Sequence, residues 1–126
     1  MLTDRRVHAI IPTDDPDRLR PFYEDILGFA PLAVPPSAVI YRAGDGSVFA
    51  ISRSAPGGAG IHTEMAFTVP DVEAEVAELR GRGVVFEEYE TPRTERGIAR
   101  LPAGRAAWFK DPDGNIIGLI QFDERV

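Results

Sequence analysis

Two punctuation marks recur in this chain in the same order, and they constrain its fold more than any other feature. The first is an aspartate that closes an apolar run and opens a helical pattern: Asp15 before Pro16, and Asp71 before Val72. The second is an Asp-Gly turn between apolar runs: Asp45-Gly46, and Asp113-Gly114 within Asp111-Pro112-Asp113-Gly114-Asn115. An aspartate ahead of a helix accepts from the free N–H groups of its first turn. A glycine after aspartate takes the positive φ that lets two strands leave a tight turn antiparallel.

The residues between these marks supply the elements. Val7–Pro12 reads as a strand, followed by a helix from Pro16 whose apolar stripe is Leu19, Phe22, Tyr23, Ile26 and Leu27, closed by Gly28 with Phe29 folding back. Residues 30–36 carry three prolines and no period, so they form a loop or an irregular edge. Ala38–Arg42 and Ser47–Ser52 form a hairpin around Ala43–Gly46, and Arg53–Gly60 is a glycine-rich linker. After it the order repeats. Ile61–Val69 is a strand, Val72 to about Arg82 a helix with Val72, Val76 and Leu79 inward, and Val84–Glu87 a short strand. Residues 90–104 are a polar stretch able to hold another strand, and a final hairpin turns at Asp113-Gly114.

Each half therefore reads β-α-β-β-β, the second lengthened before its last hairpin. The expected fold is α+β: one domain, 1–126, of two tandem repeats at about 1–56 and 61–126. Such units side by side give a curved, cup-shaped mixed sheet with helices on its convex face.

Composition narrows the function classes. At 126 residues and 44% hydrophobic content, the chain can bury about two-thirds of its unfolded surface as one domain. A net charge of −6 argues against nucleic acid and anionic membranes as partners and favours a cationic ligand. With no cysteine, no basic-then-apolar leader and no long apolar run, the expectation is a cytoplasmic protein.

His8, Phe22-Tyr23, Leu27-Gly28-Phe29, the Val69-x-Asp71-Val72 helix start and the Asp111–Asn115 turn together resemble the vicinal oxygen chelate superfamily. This group includes glyoxalase I, extradiol dioxygenases, and fosfomycin and bleomycin resistance proteins. The resemblance implies a divalent metal held by His and Glu side chains from the first and last strand of each unit. By similarity those positions are His8, Ala50, Glu64 and Gly118. Alanine and glycine offer no donor atom, so the usual site looks dismantled, and no metal cofactor is expected. The alternative is one divalent ion on His8, His62 and Glu64, with His62 two residues before Glu64 and so on the same strand face.

From those positions, alternation along strands turns Val48, Ala50, Ser52, Ala66, Thr68, Ile116, Gly118 and Ile120 to the cup, and Phe49, Ile51, Met65, Phe67, Ile117 and Leu119 to the helices. Tyr41 and Trp108 remain as aromatic ligand contacts. Ala50 and Gly118 enlarge the cup. The segment 91–100, with three arginines, is either a solvated loop or a flap offering Arg100 to an anionic ligand. The favoured function is binding of a small, partly apolar molecule by a homodimer without the usual metal, in the manner of the bleomycin resistance branch. The rival is a metal-dependent lyase, isomerase or dioxygenase, or a metal-free enzyme with His8 and Glu64 as catalytic acid and base.

Overall fold

The two aspartates expected to cap helices behave differently in the computed structural model of the chain, which describes residues 1–54 and 62–124. Asp71 caps α2 (Val72–Gly81): its Oδ1 accepts from the Ala74 N–H at 3.2 Å. Asp15 precedes α1 (Pro16–Pro21) with an extended backbone and makes no side-chain cap bond. Its own N–H donates to Thr13 Oγ1 at 3.0 Å, while the Asp14 carboxylate pairs with Arg18.

The helix α1 is also shorter than its stripe. Pro21 has no N–H to return to the preceding turn, and the chain continues as a π-helical turn, Phe22–Ile26, in which the Leu27 N–H donates to the Phe22 carbonyl at 3.0 Å. Leu19 and Tyr23 nevertheless stay fully buried. Gly28, at φ 87°, ends the segment, and Phe29 returns to donate to the Tyr23 carbonyl at 2.9 Å.

The chain divides into two compact units, Met1–Pro56 and Gly57–Val126. In the first, β1 (Ala9–Thr13), β2 (Pro31–Ala33), β3 (Ala38–Arg42) and β4 (Val48–Arg53) form one sheet in the order β1-β4-β3-β2. There β1 is parallel to β4 and the other pairs are antiparallel. The expected irregular edge is β2, whose register slips between Pro31 and Ala33. Facing α1 are Ile11, Val39, Tyr41, Phe49 and Ile51, all buried, with Phe29 against the Phe49 ring at 5.0 Å.

The second unit holds β5 (Thr63–Thr68), β6 (Thr94–Glu95), β7 (Ile98–Leu101), β8 (Gly104–Lys110) and β9 (Ile116–Phe122), in the order β5-β9-β8-β7-β6. Again the first strand runs parallel to the last. The helix α2 buries Val72 and Val76 and packs on β8 and β9. The strand expected at Val84–Glu87 reduces to a single bridge from Phe86 to Phe109, because Val84 and Phe86 are held as side chains in the core and only one ladder step forms. Residues 94–101 supply strands instead.

The β8–β9 turn is organised from below. Asp111, 4% exposed, accepts from the N–H groups of Asp113 and Asn115 at 2.9 Å through Oδ1, and from the Asn115 side-chain amide at 2.9 Å through Oδ2. Gly114, at φ 86°, then completes the reversal. Residues 55–61, which contain most of the expected linker and Ile61, lie outside the described residues, as do 125–126. Among the described residues, no helix is long and apolar enough to cross a membrane.

Candidate functional site

Register decides which side chains share a face. In the first unit Ile10, Ile40 and Ala50 stand on one ladder step, away from α1, and Ala9, Tyr41 and Phe49 stand on the next, toward it. Tyr41 is therefore a core residue and not a ligand contact. Fully buried, it stacks on Tyr23 at 5.9 Å, and its hydroxyl donates to Glu24 Oε2 at 2.9 Å. Arg20 grips the same carboxylate through Nε at 2.6 Å and Nη2 at 3.3 Å. The Arg20 hydrogen bond, with help from Tyr41 and against burial, holds Glu24 below the usual carboxylate range. Burial first, and then the Glu24 carboxylate, push the Tyr41 hydroxyl well above its ordinary value. Sequence alternation from Ala50 reaches Ser47, not across the turn, so it left the facing of Tyr41 open; the pairing Tyr41 to Phe49 settles it.

On the face away from α1, Ala50 is buried and Ile10 is 56% exposed. His8 is exposed and precedes β1, which begins at Ala9 rather than Val7.

In the second unit, Ala66, Gly118 and Trp108 occupy one ladder step across three strands, on the face away from α2. A Cβ placed on Gly118 would lie 3.4 Å from each of Ala66 Cβ, Thr63 Cγ2 and Trp108 Cδ1. The glycine thus opens less space than its size suggests, since these three carbons close in around it. A methyl group fits; a longer side chain has to push the indole aside. Tyr89 lies beside Trp108, with ring centroids 5.6 Å apart and the rings inclined by 59°. Its segment is pinned where the Tyr89 N–H donates to Thr94 Oγ1 at 2.7 Å and the Thr94 N–H donates to the Tyr89 carbonyl at 3.0 Å. Burial raises the Tyr89 hydroxyl above its ordinary value. Sequence reasoning missed Tyr89, which sits in the acidic run Glu87-Glu88-Tyr89-Glu90 with no periodicity to orient it.

Glu64 is half-buried in a bulge of β5: Thr63 pairs with Ile116 and Met65 with Ile117, leaving Glu64 as the extra residue. A bulge interrupts strict alternation, so the period of two that set His62 and Glu64 on a common face does not hold here, and Thr63 reaches toward Gly118. His62 lies exposed ahead of the strand.

Arg100 lies on the other face of the sheet. It pairs in register with Arg105, whose Nη1 reaches Glu73 of α2 at 2.8 Å, so it stands on the helix side and not with Gly118. Its guanidinium forms a two-point pair with Asp123 at 2.8 and 2.6 Å, which raises its already high pKa.

As a metal centre the residues fit poorly. Two of the four positions that the resemblance assigns to ligands carry no donor, and the space at Gly118 is taken by carbon atoms. Within neither unit do three or more His, Asp or Glu among the described residues converge as ligands.

Residues 5–119 match the family model described as Glyoxalase/Bleomycin resistance protein/Dioxygenase superfamily. Among solved structures, the chain is similar to TnmS3, an antibiotic binding protein from Streptomyces sp. CB03234, at 28% identity and a TM-score of 0.73, covering 98% of this chain and 99% of that one. A glyoxalase/bleomycin resistance protein from the same Streptomyces is also 28% identical, with a TM-score of 0.68 and 93% and 100% covered. The bleomycin resistance determinant of transposon Tn5, at 21% identity, a TM-score of 0.70 and 95% and 99% covered, shares the fold. No curated protein matches the sequence. With 115 of its residues spanned by the family model, the chain belongs to the Glyoxalase/Bleomycin resistance protein/Dioxygenase superfamily.

Proposed function

We propose that this protein sequesters a small, planar, partly apolar molecule on the face of β5, β8 and β9 turned away from α2, without chemistry and without the metal of its metal-dependent relatives. The observation that carries the reading is Trp108 paired in register with Gly118, its Cδ1 3.4 Å from where a Cβ on the glycine would stand. A position that would otherwise point a ligand side chain at a metal is instead a flat aromatic and small-residue surface, edged by Tyr89 and Ala66. Flat aromatic walls bind planar molecules through large buried area at little rotamer cost. The net charge of −6 favours a neutral or cationic ligand. The likeness to an antibiotic binding protein supports an antibiotic as the ligand class. Association as a homodimer belongs to the same proposal, and analytical ultracentrifugation measures it directly.

Calorimetric titration of the full chain with bleomycin and a panel of planar aromatic antibiotics tests the reading. A saturable, stoichiometric ligand whose affinity falls on Trp108→Ala supports it. A full panel without one contradicts it. Elemental analysis is the second arm: an equivalent of metal in the purified protein, lost on His8→Ala, replaces sequestration with metal-dependent catalysis.

A further inference from the structure

The opposite face of the second unit carries a feature that the proposed function leaves unused. Between α2 and the β6–β7 hairpin lies an open cleft of about 860 Å³. Its floor is apolar, with Val76, Ala77 and Ile98, and its walls hold five guanidiniums, those of Arg80, Arg93, Arg96, Arg100 and Arg105, against two carboxylates, Glu73 and Glu95. In a chain whose net charge is −6, this concentration of positive charge is the local exception.

The arginines are not equivalent. Arg105 is paired with Glu73 and Arg100 with Asp123, while Arg93 is 3.9 Å from Glu95 at a largely exposed site. Among the described residues, Arg80 and Arg96 have no carboxylate partner. Arg80 donates through Nη2 to the Arg96 carbonyl at 2.9 Å, and its guanidinium lies over the Phe86 ring at 5.6 Å. These contacts fix its direction and leave its charge uncompensated. Arg96 sits at the tip of the β6–β7 turn with φ 54°, ahead of Gly97 at φ 80°. A residue with a Cβ is strained in that region by about 1 kcal/mol, where glycine or asparagine would sit at ease. The turn is tied down from below, the Gly97 N–H donating to Glu88 Oε1 at 2.5 Å. An arriving anion offsets the like charges gathered at the cleft, and replacing Arg96 by glycine removes both a charge and the backbone strain.

We propose that this cleft is a second binding site, specific for a small organic anion that carries a phosphate or carboxylate group on an apolar body, with Arg80 and Arg96 clasping the charged group and Val76 and Ile98 receiving the body. The planar guanidinium fork matches both oxyanions through paired hydrogen bonds. The apolar floor separates such a ligand from free inorganic ions. Overall negative charge does not forbid it, because repulsion from charges more than about 10 Å away is screened at physiological salt.

Phenyl phosphate is the probe, titrated into the full chain at low ionic strength and followed by calorimetry and by the Arg Nε–H resonances. Saturable binding is expected, with inorganic phosphate and phenol each at least about tenfold weaker, since each supplies only half of the contacts. Arg80→Gln and Arg96→Gly should each weaken phenyl phosphate by about tenfold or more, the loss of a charge-assisted pair. Arg96→Gly keeps the fold, because glycine accepts the φ of this turn, and it should raise the melting temperature in anion-free buffer. Arg82→Gln, at the C-terminal cap of α2 but paired with Glu78 outside the cleft, and Trp108→Ala, on the other face, should leave the affinity unchanged. The carboxylate arm repeats the titration with phenylacetate, which tells the two oxyanions apart. Absence of saturable binding by either probe at about 10 mM, the weak limit for a specific site, overturns the proposal. So does equal weakening by Arg82→Gln, or loss of binding on Trp108→Ala.

Discussion

Tyr41 in the first unit and Trp108 in the second are both aromatics on a strand next to the last strand of their sheet, and they face opposite ways. Tyr41 points to the helix side, fully buried among Tyr23, Phe29 and Phe49, its one polar atom satisfied by Glu24. Trp108 points away from the helix, half-buried, across Gly118 and beside Tyr89. A single step in register separates a side chain that holds a core together from one available to a ligand. The difference predicts that stability and binding respond to different residues.

The largest effect expected is on stability. Tyr41→Ala leaves a cavity under α1 and strands the Arg20–Glu24 pair, costing about 3–5 kcal/mol in a urea titration, while the protein that remains folded binds its ligand unchanged. Trp108→Ala should reverse the pattern: affinity falls by about a hundredfold, as for an aromatic anchor, with less than about 2 kcal/mol of stability lost because the indole is only half-buried. Comparable losses of both quantities in either variant would break the distinction.

Gly118→Leu sharpens it. The three carbons at 3.4 Å from a Cβ tolerate a methyl group, so Gly118→Ala should bind nearly as the parent does, whereas leucine must displace the indole. Overpacking of that kind costs about 1–3 kcal/mol, and ligand affinity should fall with it. Equilibrium unfolding and calorimetry on the two variants separate these outcomes.

Much of this was legible in the sequence, for identifiable reasons. The Asp71 cap, α2 and the Asp111–Asn115 turn each rest on contacts within a few residues, which sequence spacing encodes. Alternation correctly separated Phe49 and Ile51 from Ala50, and Ile117 and Leu119 from Gly118, because those strands run without interruption. The failures lie where a long-range pairing overrides local period. Tyr41 takes its face from its neighbour in register, and the bulge at Glu64 resets alternation near His62. Asp15 holds the cap position of α1 without a side-chain cap bond. Tyr89 reaches Trp108 from an aperiodic segment whose path depends on Thr94.

Smaller effects probe the first unit's polar contact. Tyr41→Phe keeps the packing and removes one hydrogen bond to a carboxylate, costing about 1 kcal/mol. Its pH signature has a definite sign. The Tyr41 pKa is raised in the folded state, so its contribution is fully present below the ordinary tyrosine value of about 10 and is lost as pH rises toward the folded value. Thermal unfolding of the parent should therefore decline more steeply above about pH 10 than that of Tyr41→Phe. Glu24 works in the other direction. Its pKa is lowered, so its contribution is present above the ordinary carboxylate range and is lost as pH falls through the folded value. With Arg20 and Glu24 partly solvated, that loss is a few tenths of a kcal/mol to about 1 kcal/mol, and Glu24→Gln should flatten it.

Trp108 is the single tryptophan of the chain, so its fluorescence reports on the proposed site alone. Titrating the protein with a ligand that calorimetry has shown to bind stoichiometrically should give a saturable change in Trp108 emission with the same dissociation constant. A ligand that saturates the calorimetric signal while leaving the emission untouched would place binding elsewhere and contradict the assignment of this face.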